Sequence, residues 1–298
     1  MSFRCGTVAL VGRPNAGKSS LLNALVGSKI AAVSRRPQTT RTRLVGIATT
    51  DVLQAILVDT PGLHEAWTPL NAHMVKEAED ALAEADVACW IVDAVPLVER
   101  ARKGEPIRDE AIAEKLAGRP HVIALNKVDL VEKGWLLPVI DALKGPPVVP
   151  ISAKRRDGLE ALLAEWATLL PEQPALYPPE HVTDALERQI CAELVRERVF
   201  ENAGQEVPYA TAVEIEKFDE SGRDTAGRVH VHARILVEKP SQKAILIGKG
   251  GQMIKKIGTE ARLEIERLLD CHVRLDLFVV VEKDWTKKPR TLRGLGYA

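Results

Sequence analysis

Cysteine and asparagine are both rare in this chain of 298 residues. Asparagine stands only at positions 15, 23, 71, 126 and 202, while proline and arginine are frequent, a balance found among heat-adapted proteins. The four cysteines, Cys5, Cys89, Cys191 and Cys271, show no C-x-x-C spacing. That excludes a disulfide framework, and they read as buried, reduced thiols of a cytosolic protein. No apolar run approaches the length of a membrane span, and the start carries no basic-then-apolar leader. Net charge is absent too, with 41 basic against 41 acidic residues. The balance is uneven along the chain, because residues 239–298 hold 13 Lys/Arg against 7 Asp/Glu, leaving 28 against 34 for the rest. The length suffices for two domains, each with its own core.

What is present is concentrated between Thr7 and Leu25. An apolar run, Thr7–Val11, breaks into Gly12-Arg13-Pro14-Asn15-Ala16-Gly17-Lys18-Ser19-Ser20, and a helical pattern follows with Leu21, Leu22 and Leu25 on one face. This strand, loop and helix fit G-x-x-x-x-G-K-[ST]. Glycine lets such a loop turn back with its N–H groups aimed inward, so Gly12, Asn15, Ala16, Gly17, Lys18, Ser19 and Ser20 are placed around phosphate oxygens. Lys18 is expected to reach the terminal phosphates and Ser19 to offer its hydroxyl to Mg²⁺, while the helix points its positive end at the anion. The bland alternative, a helix start capped by Ser19, leaves the preceding strand unexplained.

Strand and helix alternate through the first half. Strands are expected at Gly6–Val11, Arg43–Thr50, Leu53–Asp59, Val87–Asp93, Val122–Asn126 and Val148–Ile151, with helices at Lys18–Val26, Leu70–Glu84, Ile107–Ala117, Leu136–Lys144 and Leu159–Leu170. The pattern predicts an α/β fold, a mainly parallel sheet with helices on both faces and ligands beyond the carboxyl ends of the strands. Pro37-Gln38-Thr39-Thr40-Arg41 precedes the second strand. Thr40, ahead of Thr39, is expected to close over the nucleotide and complete the Mg²⁺ shell. A solvated loop is the alternative for that segment taken alone.

Asp59-Thr60-Pro61-Gly62 ends the third strand. An acidic side chain there is costly unless it meets a cation, directly or through water, and Gly62 lets its N–H approach a γ-phosphate. Asn126-Lys127-Val128-Asp129 follows the fifth strand. The Asp129 carboxylate can accept two N–H bonds from guanine, a pattern that adenine does not offer. Asn126 would steady the loop and the Lys127 stem would cover the base. Ser152-Ala153-Lys154 is expected to supply backbone N–H groups to the guanine oxygen, with an ordinary helix start equally good on local grounds. Together these motifs predict a GTP/GDP site with Mg²⁺ held by Ser19, Thr40 and Asp59.

Four prolines between Pro171 and Pro179 forbid a regular helix and predict a stiff linker. Beyond it the pattern changes: an amphipathic helix over Asp184–Phe200, then alternating strands over Ala210–Phe218 and Val229–Val237. His230, His232, Arg234 and Leu236 are assigned to the face opposite Val231, Ala233, Ile235 and Val237. With no third ligand in the vicinity, the two histidines are read as surface residues. Next come a short helix, a G-x-x-G turn from Gly248 to Gly251, a long helix through Leu269 and a strand over Val273–Val281. Four lysines and no acid lie between Pro240 and Thr259. The tail from Trp285 is basic with two aromatics, fit either for phosphate contacts and a stacked base or for docking on the fold.

The ordered set GRPNAGKSS, PQTTR, DTPG, NKVD and SAK resembles the translation-factor-related GTPases and, within them, the Era-type group. The segment Ile245-Leu246-Ile247-Gly248-Lys249-Gly250-Gly251-Gln252-Met253-Ile254 resembles the signature of KH domains, in type II order. That resemblance implies single-stranded nucleic acid bound by Lys243, Ile247, Gly248, Lys249, Gly250, Gly251, Ile254 and Lys255, with bases in the apolar groove near Ile245, Ile247, Ile254 and Ile257. The combination spans nearly the whole chain: a GTPase domain over 1–170, a linker over 171–183, a KH domain over 184–284 and a basic tail over 285–298.

The resemblance implies a slow GTP-hydrolysing switch, with Lys18, Thr40, Gly62 and Asn15 nearest the chemistry. Leu63 stands where Ras-type enzymes place a water-orienting glutamine. Asn15 is similar to an asparagine that helps hold K⁺ in related GTPases, and Arg41 is a cis alternative. Implied partners are the 3′ end region of small-subunit 16S ribosomal RNA and the assembling small subunit, with the protein a cytoplasmic monomer. Peripheral contact with the inner face of the membrane is also suggested for the family, but no stretch here is an amphipathic membrane helix of the required kind. Two other classes compete. A pure RNA-binding protein with a relic nucleotide pocket conflicts with five intact motifs, and a small-molecule kinase has no use for a guanine reader.

Overall fold

The computed structural model describes residues 2–34, 36–62, 69–107, 110–143, 145–204 and 206–297. The first half holds β1 (Arg4–Val11), α1 (Lys18–Val26), β2 (Leu44–Thr49), β3 (Leu53–Asp59), α2 (Pro69–Glu84), β4 (Val87–Asp93) and α3 (Ala94–Arg102). It continues with α4 (Glu110–Leu116), β5 (His121–Asn126), α5 (Leu136–Ala142), β6 (Val148–Pro150) and α6 (Leu159–Leu169). The strands form one sheet in the order β2-β3-β1-β4-β5-β6. All neighbours run parallel except β2, which pairs antiparallel with β3 through a tight turn. In that turn Thr50 accepts from Leu53 N at 3.1 Å through its hydroxyl. Every residue of β3 is buried, as in a strand covered on both faces. Fully enclosed side chains such as Leu10, Leu21 and Leu57 each contribute about 1.5–3 kcal/mol of burial.

The helix α3 is absent from the sequence expectations, and it contains Pro96. That proline falls in the first turn, where a missing N–H costs nothing, and Asp93 caps the helix by accepting from Val95 N at 3.0 Å. The proline segment is laid along the sheet. Cys5 N donates to Pro171 O at 3.1 Å and Ile47 N to Val182 O at 2.9 Å. The buried Gln54 accepts from Leu176 N and Tyr177 N at 2.8 and 2.9 Å.

The second half contains α7 (Glu187–Asn202), β7 (Ala212–Asp219), α8 (Arg223–Ala226), β8 (Arg228–Val237), α9 (Pro240–Ile247), α10 (Gln252–Leu269), β9 (His272–Val281) and α11 (Pro289–Gly294). Its sheet runs β7-β8-β9, antiparallel then parallel. α7 begins three residues later than expected, since the Asp184 carboxylate is taken by Tyr177 Oη at 2.6 Å. Leu236, assigned by alternation to the open face, is buried, as are all of the last three residues of β8.

Contacts divide the chain into two units, the first comprising residues 2–28, 40–62 and 74–184 and the second residues 29–39, 69–73 and 185–297. Residues 29–39, between α1 and β2, thus pack with the second unit. Lys29 Nζ lies 2.8 Å from Glu197 Oε1, Val33 N donates to Glu197 Oε2 at 3.1 Å, and the Arg196 guanidinium donates to Thr39 O. Both α7 side chains are almost wholly enclosed. Among the described residues, no helix is long and apolar enough to cross a membrane.

Candidate functional site

The loops that follow β1, β3, β5 and β6 meet at the carboxyl edge of the first sheet. Asn126, at the end of β5, donates from Nδ2 to Ala16 O at 2.9 Å and accepts from Ala153 N at 3.0 Å. One buried amide therefore joins the glycine loop to the loops after β5 and β6. Gly17 is indispensable there. Its φ is 102°, and a Cβ would stand 2.2 Å from Asn126 Nδ2. Thr60 donates from its hydroxyl to Leu10 O at 2.9 Å, pinning the end of β3 to β1. Gly62 lies so close to the loop that a Cβ would meet Pro14 N at 2.8 Å.

Lys18 is buried, and its ammonium donates to the carbonyls of Gly12 and Arg13, both at 3.1 Å. Burial lowers its pKa to about 8, against the pull of Asp59. Asp59 is fully enclosed. Burial raises its carboxyl to about 6, a shift that Lys18 and the hydroxyls of Ser19 and Thr40 oppose. Ser19 Oγ donates to Asp59 Oδ2 at 2.6 Å, Thr40 Oγ1 lies 3.3 Å from that same oxygen, and the two hydroxyls are 2.9 Å apart. Asp59 Oδ1, buried, has no hydrogen-bond partner among the described residues. An all-oxygen cluster with an orphaned carboxylate oxygen suits a hard divalent cation such as Mg²⁺. Thr39 turns elsewhere, bonding Arg36 O at 3.0 Å and Ser34 Oγ at 2.7 Å.

The Asp129 carboxylate is mostly enclosed; it accepts from Ser152 Oγ at 2.7 Å and lies 3.6 Å from Arg155 Nε. Ser152 N donates to Asp157 O at 3.0 Å, so its N–H is committed inside the fold. This departs from the expectation of a base contact there. Ala153 N would have to exchange the Asn126 oxygen for a base oxygen. Asn15 is exposed with φ 63°, Ala16 is buried, Ser20 is half-buried on α1, and Lys154 is exposed. Arg41 is buried, and Leu63 lies outside the described residues. Asp93 was not anticipated: it pairs with Lys127 Nζ at 2.6 Å while capping α3. Its place one residue before a helical run was the signal available.

In the second unit, α9 and α10 meet across the glycine turn. A Cβ on Gly248 would stand 2.8 Å from Met253 Cβ, so only glycine permits that approach. The N-terminus of α9 is held by the buried Gln242, which accepts from Glu238 N and Lys239 N at 3.0 Å. Lys249, Gly250 and Lys255 are exposed, and Lys243, Ile247, Gly251 and Ile254 are half-buried. Ile245 is also exposed, but Ile257 is wholly buried. That corrects its expected place beside the bases: it faces the core side of α10. The tail is docked, with Trp285 and Tyr297 enclosed and Trp285 Nε1 donating to Ala210 O at 2.9 Å. His230 and His232 do have a third group beside them, Asp276 of β9.

A P-loop GTPase domain followed by a KH domain is the class that this fold and site define. The family of 50S ribosome-binding GTPases matches residues 7–127 and the KH domain family residues 206–286. GTPase Era of Geobacter metallireducens is 46% identical over 301 residues, spanning 99% of this chain and 98% of that protein. GTPase Era of Syntrophus aciditrophicus is 42% identical over 99% of this chain and 95% of its own length. Among solved structures, Aquifex aeolicus Era bound to GDP and AlF4⁻ superposes with a TM-score of 0.91 at 36% identity, covering 99% of this chain and 100% of that one. Era in complex with MgGDPNP and nucleotides 1506–1542 of 16S ribosomal RNA gives 0.90 at 35% identity, covering 99% of each chain. This chain belongs to the Era GTPase family.

Proposed function

We propose that this protein hydrolyses GTP slowly with Mg²⁺, and that its KH unit holds single-stranded RNA from the 3′ end region of small-subunit ribosomal RNA during small-subunit assembly. The observation that carries the nucleotide reading is the oxygen cluster of Ser19, Thr40 and the buried Asp59 beside the buried Lys18, with Asp59 Oδ1 left without a hydrogen-bond partner among the described residues. Ser19, Thr40 and Asp59 would hold Mg²⁺, which when bound neutralises charge on the β- and γ-phosphates. Lys18 would leave the carbonyls of Gly12 and Arg13 for the terminal phosphates. The N–H groups of Gly12 and of Asn15 to Ser20 would cradle the oxygens, and that of Gly62 would meet the γ-phosphate. Asp129 would read the guanine edge, steadied by Ser152, while Asn126 fixes the loop and Lys127, held by Asp93, covers the base. Asn15 would help seat K⁺ near the transferred group, with Arg41 as the alternative source of positive charge.

The RNA reading rests on the exposed Lys249 and Gly250 at a turn flanked by half-buried Ile247 and Ile254, and on the Era structure solved with 16S RNA. The 50S-binding description belongs to a family whose match stops at residue 127, so the small-subunit reading leans instead on the full-length Era structure that holds 16S ribosomal RNA. The protein is proposed to act in the cytoplasm as a monomer, with any membrane contact peripheral. Two assays test the whole: GTP turnover with and without Mg²⁺, and crosslinking to cellular RNA followed by sequencing of the fragments. Absence of turnover, or crosslinks scattered away from small-subunit RNA, would refute the corresponding half.

A further inference from the structure

The open face of the second sheet carries a cluster that is part of neither the nucleotide site nor the RNA site proposed above. Strand side chains alternate, so His230 and His232 of β8 lie opposite Val229, Val231 and Ala233, which are all fully buried. β9 runs parallel to β8 in a register that pairs His232 with Asp276. The Asp276 carboxylate reaches both rings: Oδ2 is 2.7 Å from His230 Nε2 and 3.9 Å from His232 Nδ1. One ligand atom from each of the three residues falls within 4.8 Å of the others, and the imidazole centroids are 4.0 Å apart. His232 is further fixed by Phe278, whose ring stacks on it at 6.5 Å with an interplanar angle of 3°.

We infer that His230, His232 and Asp276 form a binding site for a borderline divalent metal ion, with Zn²⁺ the best fit. Two imidazole nitrogens and one carboxylate oxygen are the three-ligand set of open zinc sites, which leave a position for water or an outside donor. Mg²⁺ demands an oxygen octahedron and is not suited to two imidazoles. The strands bring the donors together before any ion arrives, so little chain ordering accompanies binding. In the metal-free state the Asp276 charge is shared between His230 and Arg274, whose Nε lies 3.4 Å from Oδ2 on an exposed side chain that can swing aside. Lys217 of β7, paired with His232 of β8, is already neutralised by Asp219 at 2.8 Å. The ion would displace the Arg274 guanidinium from the carboxylate, and would clasp the edge strand β9 to the central strand β8.

Calorimetric titration of Zn²⁺ into the full chain, saturated with Mg²⁺ and GDP, tests the site. A single equivalent should bind, and millimolar Mg²⁺ should not displace it. His230→Gln and His232→Gln should each weaken binding by about 10- to 100-fold, the range for disturbing a metal's ligand environment. Arg274→Gln should instead tighten it, because a competing cation is gone. These exposed-face substitutions leave the core untouched, which an unchanged unfolding transition without metal would verify. Zinc affinity surviving in both histidine variants overturns the assignment and moves the ion elsewhere, for instance to Cys271 and His272. Weaker binding in Arg274→Gln would equally refute it.

Discussion

Asn126 Nδ2 donates to the carbonyl of Ala16 at 2.9 Å, across 110 residues of chain. Through this bond the loop expected to read the base and the loop expected to hold the phosphates are positioned by one amide, which also receives Lys127 N at 2.8 Å. Errors in one loop are therefore transmitted to the other.

The base assignment is tested at Asp129. Its carboxylate is mostly enclosed, with Oδ1 held by the Ser152 hydroxyl. Asp129→Asn should shift preference from GTP to XTP, because the xanthine ring offers an acceptor that an amide can serve. Competition binding with the two nucleotides measures it, and unchanged GTP affinity would contradict the role.

The cation hypothesis is tested by salt substitution. Turnover should be faster in K⁺ than in Na⁺ at equal ionic strength, and Asn15→Ala should abolish the difference. Equal rates for the unaltered protein would leave Arg41 or a group from the RNA-bound assembly to supply the charge.

At the glycine turn, Lys249→Glu with Gly250→Asp places negative charge where an RNA backbone would pass. No atom would crowd a Cβ at Gly250, but its φ of 59° is left-handed, so Asp there adds backbone strain to its charge and Lys249→Glu alone isolates the electrostatic part. RNA affinity should fall at least tenfold, with each lost phosphate contact lowering the log–log salt slope by roughly 0.7. GTP turnover without RNA should stay near the unaltered rate. Filter binding to a single-stranded ribosomal fragment over a salt series decides, and unchanged affinity would mean that the turn is only a helix connection.

Glu266 offers a stability test by pH. Burial alone would raise its pKa, but bonds from Val273 N at 3.0 Å and Arg262 at 2.6 Å outweigh that and hold it below the ordinary value of 4.5. Because the folded pKa is depressed, its contribution is present above that ordinary value and lost as pH falls through the folded one. Glu266→Gln should thus cost about 1 kcal/mol near neutrality, and the gap from the unaltered protein should close in acid. Denaturant melts at pH 7 and pH 3 would show whether the gap closes.

The sequence by itself determined the chemistry-bearing motifs and most elements of both halves. Each of these depends on a few consecutive residues: glycines that turn a loop, an apolar alternation, a helical stripe. Gly12 to Ser20, Asp59, Asn126 to Asp129 and the turn from Gly248 to Gly251 were all recognisable on that basis. Tertiary structure decided what depends on register and burial between distant segments. It brought Asp276 to His230 and His232 and gave Lys127 its partner Asp93. It also buried Ile257 and Trp285, and packed residues 29–39 with α7. Local backbone preference says which face a side chain leaves from. Only the pairing of strands and the packing of helices say what that face meets.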